Sequence, residues 1–211
     1  MSEYLEYSIK VFASFFSLIN PLGIMPVFMS MTATLNERQR RKVAFKASLT
    51  AFLSLLLFAF AGQLVFSFFS ITVDSFRIVG GIIFFMMGYE MLQAKLSRVK
   101  IDTSEVTSYI TDISITPLAI PIICGPGAIT TSIVFWEDAG TVTEKIILIS
   151  VIFVVIFITW AVLVGAGKIM KIIGETGNKI MMRLMGLIVM VIAVEFFFAG
   201  LRPILQGIIN N

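Results

Sequence analysis

The charged residues of this 211-residue sequence fall in clusters, and between the clusters lie six apolar blocks. Each is close to the ~20 residues that a helix needs to cross the hydrocarbon core of a bilayer. The blocks run from about Tyr7 to Ala33, Val43 to Phe69, Phe76 to Ala94, Ile115 to Trp136, Ile146 to Ala166 and Ile180 to Leu201. Only 14% of the residues are charged and 58% are hydrophobic, where a soluble domain carries nearer a quarter charged. Polar side chains are too few to clothe a water-soluble surface, so the pattern predicts an all-α membrane protein with six transmembrane helices. Glu3 and Glu6, not a basic leader, precede the first block, and no small-residue cleavage site comes before its polar break. That block therefore reads as a retained span and not as a cleaved signal peptide.

Several chemistries are excluded early. One cysteine, Cys124, forms no intramolecular disulfide, and the absence of histidine removes the usual zinc and haem ligand sets, so no metal or cofactor is expected. The net charge of +3 does not point to nucleic acid, because the basic residues flank the apolar blocks and form no groove-sized patch. No Gly-x-x-x-x-Gly-Lys-Ser/Thr loop is present for ATP. No Ser or paired acid sits at a catalytic spacing within the spans, which argues against an enzyme.

The basic residues instead report direction. Arg38, Arg40, Arg41, Lys42 and Lys46 flank loop one, Lys95, Arg98 and Lys100 flank loop three, and Lys168, Lys171, Lys179 and Arg183 flank loop five. Only Lys10, Arg77, Lys145 and Arg202 fall on the other side. Cytoplasmic loops collect Lys and Arg, so six helices with both termini outside a cell (inner or plasma) membrane fit the bias.

Landmarks of the first half recur in the second. Asn20-Pro21-Leu22-Gly23 in block one corresponds to Gly125-Pro126-Gly127-Ala128 in block four, their prolines 105 positions apart. Lys42 and Lys145, Gly62 and Gly165, Arg77 and Arg183, Gly80 and Gly186, and Glu90 and Glu195 follow at offsets of 103 to 106. A repeat of three helices reverses direction, so the sequence predicts two inverted three-helix repeats, residues 1–97 and 114–211, joined by a cytoplasmic linker over 98–113.

Helices 1 and 4 are expected to be discontinuous. Proline removes an amide donor and crowds the preceding turn, and glycine admits irregular dihedrals. Unpaired backbone groups at membrane depth survive only where protein or a water-filled cavity satisfies them. Matching breaks in two halves are the strongest sequence pointer to a substrate site, here Asn20, Pro21, Leu22, Gly23, Gly125, Pro126, Gly127 and Ala128. Half-helices starting after Gly23 and Gly127 would offer free amides to a carboxylate, and the half-helix ends before them would offer carbonyls to an ammonium group or cation. An amino acid zwitterion needs both. The alternative is a proline kink that only shapes packing, with the Asn20 amide filling a freed bond. Thr130 and Thr131 are further carboxylate donors, set against the tendency of membrane threonines to bond their own backbone. Glu90 and Glu195 are the only acids well inside the blocks and are candidates for proton coupling. The alternative is local pairing with Lys95 and Arg202. The glycines at 80, 81, 88, 165, 167 and 186 read first as close helix-packing sites.

The stretch Ile19-Asn20-Pro21-Leu22-Gly23-Ile24-Met25-Pro26-Val27-Phe28, followed by Thr34-Leu35 and the Arg38 cluster, resembles the first-helix signature of the MarC family of bacterial and archaeal membrane proteins. Pro117-Leu118-Ala119-Ile120-Pro121 with Gly125-Pro126-Gly127-Ala128-Ile129-Thr130 resembles its second signature. The resemblance covers essentially the whole chain. It implies a small inner-membrane protein of the MarC or SnatA type, the SnatA branch being understood as transporters of small neutral amino acids such as glycine and alanine. The sequence is thus expected to encode a secondary transporter of a small-molecule substrate, driven by H+ or Na+ and working by alternating access. A channel or facilitator, and a membrane assembly protein without a solute, are the rival readings. Cys124, just before the Gly-Pro-Gly break, is expected to react with a small maleimide and to be protected by substrate.

Overall fold

The computed structural model describes residues 3–93 and 106–209, and every regular element among them is helical. In order these are α1 (Glu3–Ile19), α2 (Pro21–Met31), α3 (Glu37–Phe68), α4 (Val73–Leu92), α5 (Val106–Ile113), an irregular coil of wide turns (Ser114–Ile123) and α6 (Pro126–Asp138). A helical run from Val142 to Ile209 follows, parted by Gly174 at φ 73°, ψ 176°, a conformation close to glycine's alone. Its spanning arms are α7 (Val142–Ile169) and α8 (Thr176–Ile209). Five stretches are long and apolar enough to cross a membrane: α1 with α2, then α3, α4, α7 and α8. Ser108–Ile123 and Pro126–Asp138, bent by 62°, make a sixth if they count as one broken span.

Local chemistry sets the boundaries. α3 starts six residues before the expected Val43 because Asn36 caps it. The Asn36 side chain accepts from the Gln39 amide at 2.9 Å and the Gln39 side chain accepts from the Asn36 amide at 2.9 Å, a reciprocal box that carries the helix through the arginine cluster. Thr72 caps α4 by accepting from the Ser75 amide at 3.0 Å. Arg40 Nε donates to the Thr32 carbonyl at 3.0 Å and a second guanidinium nitrogen to that of Ala33 at 3.3 Å. A fixed cation thus satisfies the open carbonyls just beyond α2. Residues 106–113 of the stretch read as a linker are helical, with Ile110 and Ile113 buried. Residues 98–105 lie outside the described residues, as do Lys95, Arg98 and Lys100.

The core runs along the bundle axis: Val11, Phe15 and Ile19 of α1, Ala47, Ala51 and Leu55 of α3, Leu118 and Ile123 of the irregular segment, and Leu148, Ile152 and Val155 of α7. The outward faces are apolar as well. Leu57 (62% exposed), Leu64 (73%) and Val191 (61%) face outward, as hydrocarbon contact requires and water contact would not.

α4 and α8 cross backbone to backbone. A methyl added at Gly81 would lie 2.7 Å from the Ala193 carbonyl oxygen, and one at Gly88 2.8 Å from that of Gly186. At Gly200 it would lie 2.4 Å from the Asp74 carbonyl. The pairing of 74 with 200, 81 with 193 and 88 with 186 makes the two helices antiparallel. Small residues permit this approach, and between apolar helices in lipid, close packing takes the place of the hydrophobic drive. The packing reading of the glycines holds at 80, 81, 88 and 186. It does not hold at Gly165, where an added methyl would meet nothing within 4 Å.

Candidate functional site

The first break is at Asn20. Its backbone sits in the left-handed region, φ 47° and ψ 67°, which asparagine tolerates better than other side chains that carry a Cβ. From there Asn20 caps α2: its Oδ1 accepts from the Gly23 amide at 3.2 Å, and its carbonyl accepts from Gly23 at 2.9 Å and Ile24 at 3.2 Å. Two expectations change. α2 starts at Pro21, not after Gly23, and the Gly23 amide is taken by Asn20 itself instead of waiting for a carboxylate.

The second break is built differently. Through Ser114–Ile123 the backbone goes extended at Thr116 (φ −128°, ψ 124°) and Ile120 (φ −128°, ψ 120°), the residues before Pro117 and Pro121, as proline demands of its predecessor. The backbone amide of Cys124 donates to the Ala119 carbonyl at 2.7 Å. α6 then starts at Pro126, with Gly125 as an extended N-cap that has no side chain to offer. The first-turn amides of Gly127 and Ala128 are left without a cap, although both residues are buried. Here the expected open helix start is present, two residues earlier than predicted.

A cavity of about 90 Å³ joins these elements, room for a few waters or a few heavy atoms of a solute. Leu18, Asn20 and Gly23 line it from the first break, Pro117 and Ile122 from the irregular segment, Phe84 and Glu90 from α4, and Val189 and Ile192 from α8. The second break reaches it through Phe84, whose ring occupies the space a Gly125 side chain would take, at 2.2 Å. Glu90 is therefore on the wall beside Asn20. Glu195, on α8, is not, although the two acids are alike in being exposed and in making no ion pair with a described residue. The two differ in that only Glu90 lines this cavity.

A second cavity, of about 140 Å³, is lined by Ser14 of α1, Arg77 of α4, Thr130, Thr131, Val134 and Phe135 of α6, and Phe196 of α8. Thr130 is buried and donates to the Pro126 carbonyl within its own helix, so its hydroxyl proton is committed. Thr131 is half-buried and has no such bond. Between the cavities stands Gly127. A methyl there would lie 2.8 Å from the Phe196 ring and 3.0 Å from Leu18 Cδ2, and these two side chains line one cavity each. The remaining expected site residues line neither cavity. Pro21, Pro126 and Ala128 are buried, with Pro126 against Gly80, and Leu22 points away from the bundle at 56% exposure. Cys124 is fully buried, so the expected labelling requires the bundle to open.

A family model described as MarC family integral membrane protein matches residues 5–205 of the chain. The chain belongs to the MarC family. It is 39% identical to a UPF0056 membrane protein of Pyrococcus horikoshii over 96% of this chain and 98% of that one. A UPF0056 membrane protein of Methanocaldococcus jannaschii is 36% identical over 94% and 97%, and one of Escherichia coli 34% over 95% and 94%. No solved structure matches it. This MarC family chain is an integral, multi-pass membrane protein, and both breaks and both cavities fall inside the matched residues.

Sequence reasoning did not single out Leu18, Phe84 and Phe196, which read as lipid-facing or core surface, or Arg77, which read as an outer flank. Only Arg77 carried a usable signal: it lies one turn inside a span, where a fixed charge is costly.

Proposed function

We propose that this protein is a secondary active transporter of small neutral amino acids such as glycine and alanine. The solute is held in the Asn20–Glu90 cavity, and two inverted three-helix halves rock about it. The observation that carries this reading is the cavity itself. One small space takes its wall from the first break, from the irregular segment before the second, and from Glu90, one of the two acids within the spans. Glu90 carries the coupling proton or pairs with the ammonium group, and the size of the space suits a solute of few heavy atoms. Without a nucleotide loop, a proton or sodium gradient supplies the energy. No reaction is catalysed, the termini face outward, and the cell membrane is the site of action.

Reciprocal contacts support the inverted halves. Tyr7 of the first half donates to the Phe135 carbonyl near the end of α6 at 3.4 Å, and Tyr109 of the second half donates to the Met31 carbonyl at the end of α2 at 2.9 Å. Ile133 of α6 fills the space at Gly62 of α3, while Phe28 of α2 shares a cavity wall with Leu163 and Gly167 of α7. These pairs lie at offsets close to those of the sequence repeat, although Gly165, the repeat partner of Gly62, has no such neighbour.

Counterflow of labelled glycine and alanine in proteoliposomes tests the proposal. The expected result is saturable exchange, lost in Asn20→Ala and in Gly127→Leu, whose longer side chain would overfill the space between Leu18 and Phe196. A well-folded preparation without exchange would remove these solutes. Flux that does not saturate would favour a channel.

A further inference from the structure

We propose that the Arg77 cavity is a separate carboxylate-binding station, where the acid end of the solute is held before it passes Gly127 to the Asn20–Glu90 cavity. This deepens the transporter reading and, as a step in transport, rests on it. Arg77 is always charged and offers five donors in a planar fork suited to a carboxylate. Asp74 takes one of them at 3.2 Å, leaving the rest of the fork open to a second partner. The stem is held in place because Gly200 of α8 lies directly on it, an added methyl there meeting Arg77 Cβ at 3.0 Å. Around the same space stand Thr131, whose hydroxyl is uncommitted and can donate to a carboxylate, and Ser14, whose hydroxyl proton is already given to the Lys10 carbonyl at 2.9 Å. Lys10 adds positive potential nearby, its ammonium 5.7 Å from the centre of the Phe135 ring that forms part of the wall. Val134, Phe135 and Phe196 supply an apolar side for a short alkyl group.

The distance along α4 makes this a station of its own. Arg77 and Glu90 are thirteen positions apart on one helix, about 20 Å at 1.5 Å per residue. No solute of a few heavy atoms spans that. A zwitterion meets the two groups in turn, its carboxylate at Arg77 and its ammonium at Glu90, with the Leu18–Gly127–Phe196 contact between them.

The test reads the charge preference of the cavity without any transport. In a Cys124→Ala background, Thr131→Cys is treated in detergent with an anionic and a cationic methanethiosulfonate, and the ratio of rates is normalised to that of a small free thiol in the same buffer. With Asp74 offsetting part of the Arg77 charge, the anionic reagent is favoured by about threefold. The preference is expected to survive Arg77→Lys and to vanish in Arg77→Gln, and acetate, but not methylammonium, is expected to slow the anionic reagent. The acetate arm needs no change at Arg77, so it stands even if that variant fails to fold. Equal rates, a cationic preference, or a thiol at 131 that neither reagent reaches in folded protein would overturn the proposal. Intact counterflow with no charge preference would remove the Arg77 station alone, whereas charge preference without counterflow would remove the transporter and leave a carboxylate site.

Discussion

Replacing Gly186 by alanine should loosen the bundle where α4 and α8 cross. The new methyl would sit 2.7 Å from the Gly88 carbonyl oxygen and 2.7 Å from the Leu92 amide nitrogen. Both are helix backbone atoms, so neither can swing aside. Ordinary contact begins at 3.4 Å, so the helices must part by about 0.7 Å, a gap that forfeits a quarter to a half of each nearby dispersion contact. Overpacking of this kind costs about 1–3 kcal/mol, and alanine's better helix propensity returns up to ~1. A net loss of about 1–2 kcal/mol is expected. The sequence-repeat partner of Gly62, Gly165, supplies the control: its added methyl meets nothing within 4 Å, so Gly165→Ala should be neutral or stabilising by up to ~1 kcal/mol. Equilibrium unfolding in mixed dodecylmaltoside–SDS micelles measures both. If Gly186→Ala proves as stable as Gly165→Ala, the close crossing is wrong. Since Gly88 and Gly186 share one contact, the Gly88→Ala/Gly186→Ala pair should also be less destabilised than the sum of its parts.

Arg40→Ala should cost about 1.5–3 kcal/mol in the same assay, because it strips charge-assisted bonds from the Thr32 and Ala33 carbonyls; a loss within experimental error would refute that role. Tyr109→Phe should cost roughly 1 kcal/mol and Tyr7→Phe clearly less, given donor distances of 2.9 and 3.4 Å. Cys124 should react with N-ethylmaleimide far more slowly than an exposed Thr141→Cys thiol, and equal rates would contradict its burial. Uptake driven by a pH gradient should disappear in Glu90→Gln and persist in Glu195→Gln; the opposite order would place the coupling acid on α8.

The spans and the breaks were legible in the sequence because hydropathy, proline and glycine act locally. Hydrocarbon length fixes the blocks, and Asn20-Pro21 and Gly125-Pro126 fix where helices stop. Helix ends were less legible: the capping pair Asn36 and Gln39 lies in polar sequence that hydropathy discounts, and Tyr109, Ile110 and Ile113 hide a buried stripe in the stretch read as linker. The candidate site residues could be named from the sequence, but their arrangement could not. Glu90 and Glu195 look equivalent along the chain, and only the turn of α4 against α2 brings one of them to Asn20. The division of Asn20 from Thr131 by a glycine contact is a tertiary fact with no local signature.

The bond from Tyr109 to the Met31 carbonyl joins residues 78 positions apart, and that bears on the order of assembly. At 5–20 residues per second a ribosome delivers the tyrosine about 4–16 s after α2 is made. For that interval the carbonyl of Met31 is without this donor. The reciprocal bond runs the other way, since Tyr7 is already in place when α6 emerges. The two bonds therefore close in opposite senses: at Phe135 the donor precedes its acceptor along the chain, and at Met31 the acceptor precedes its donor.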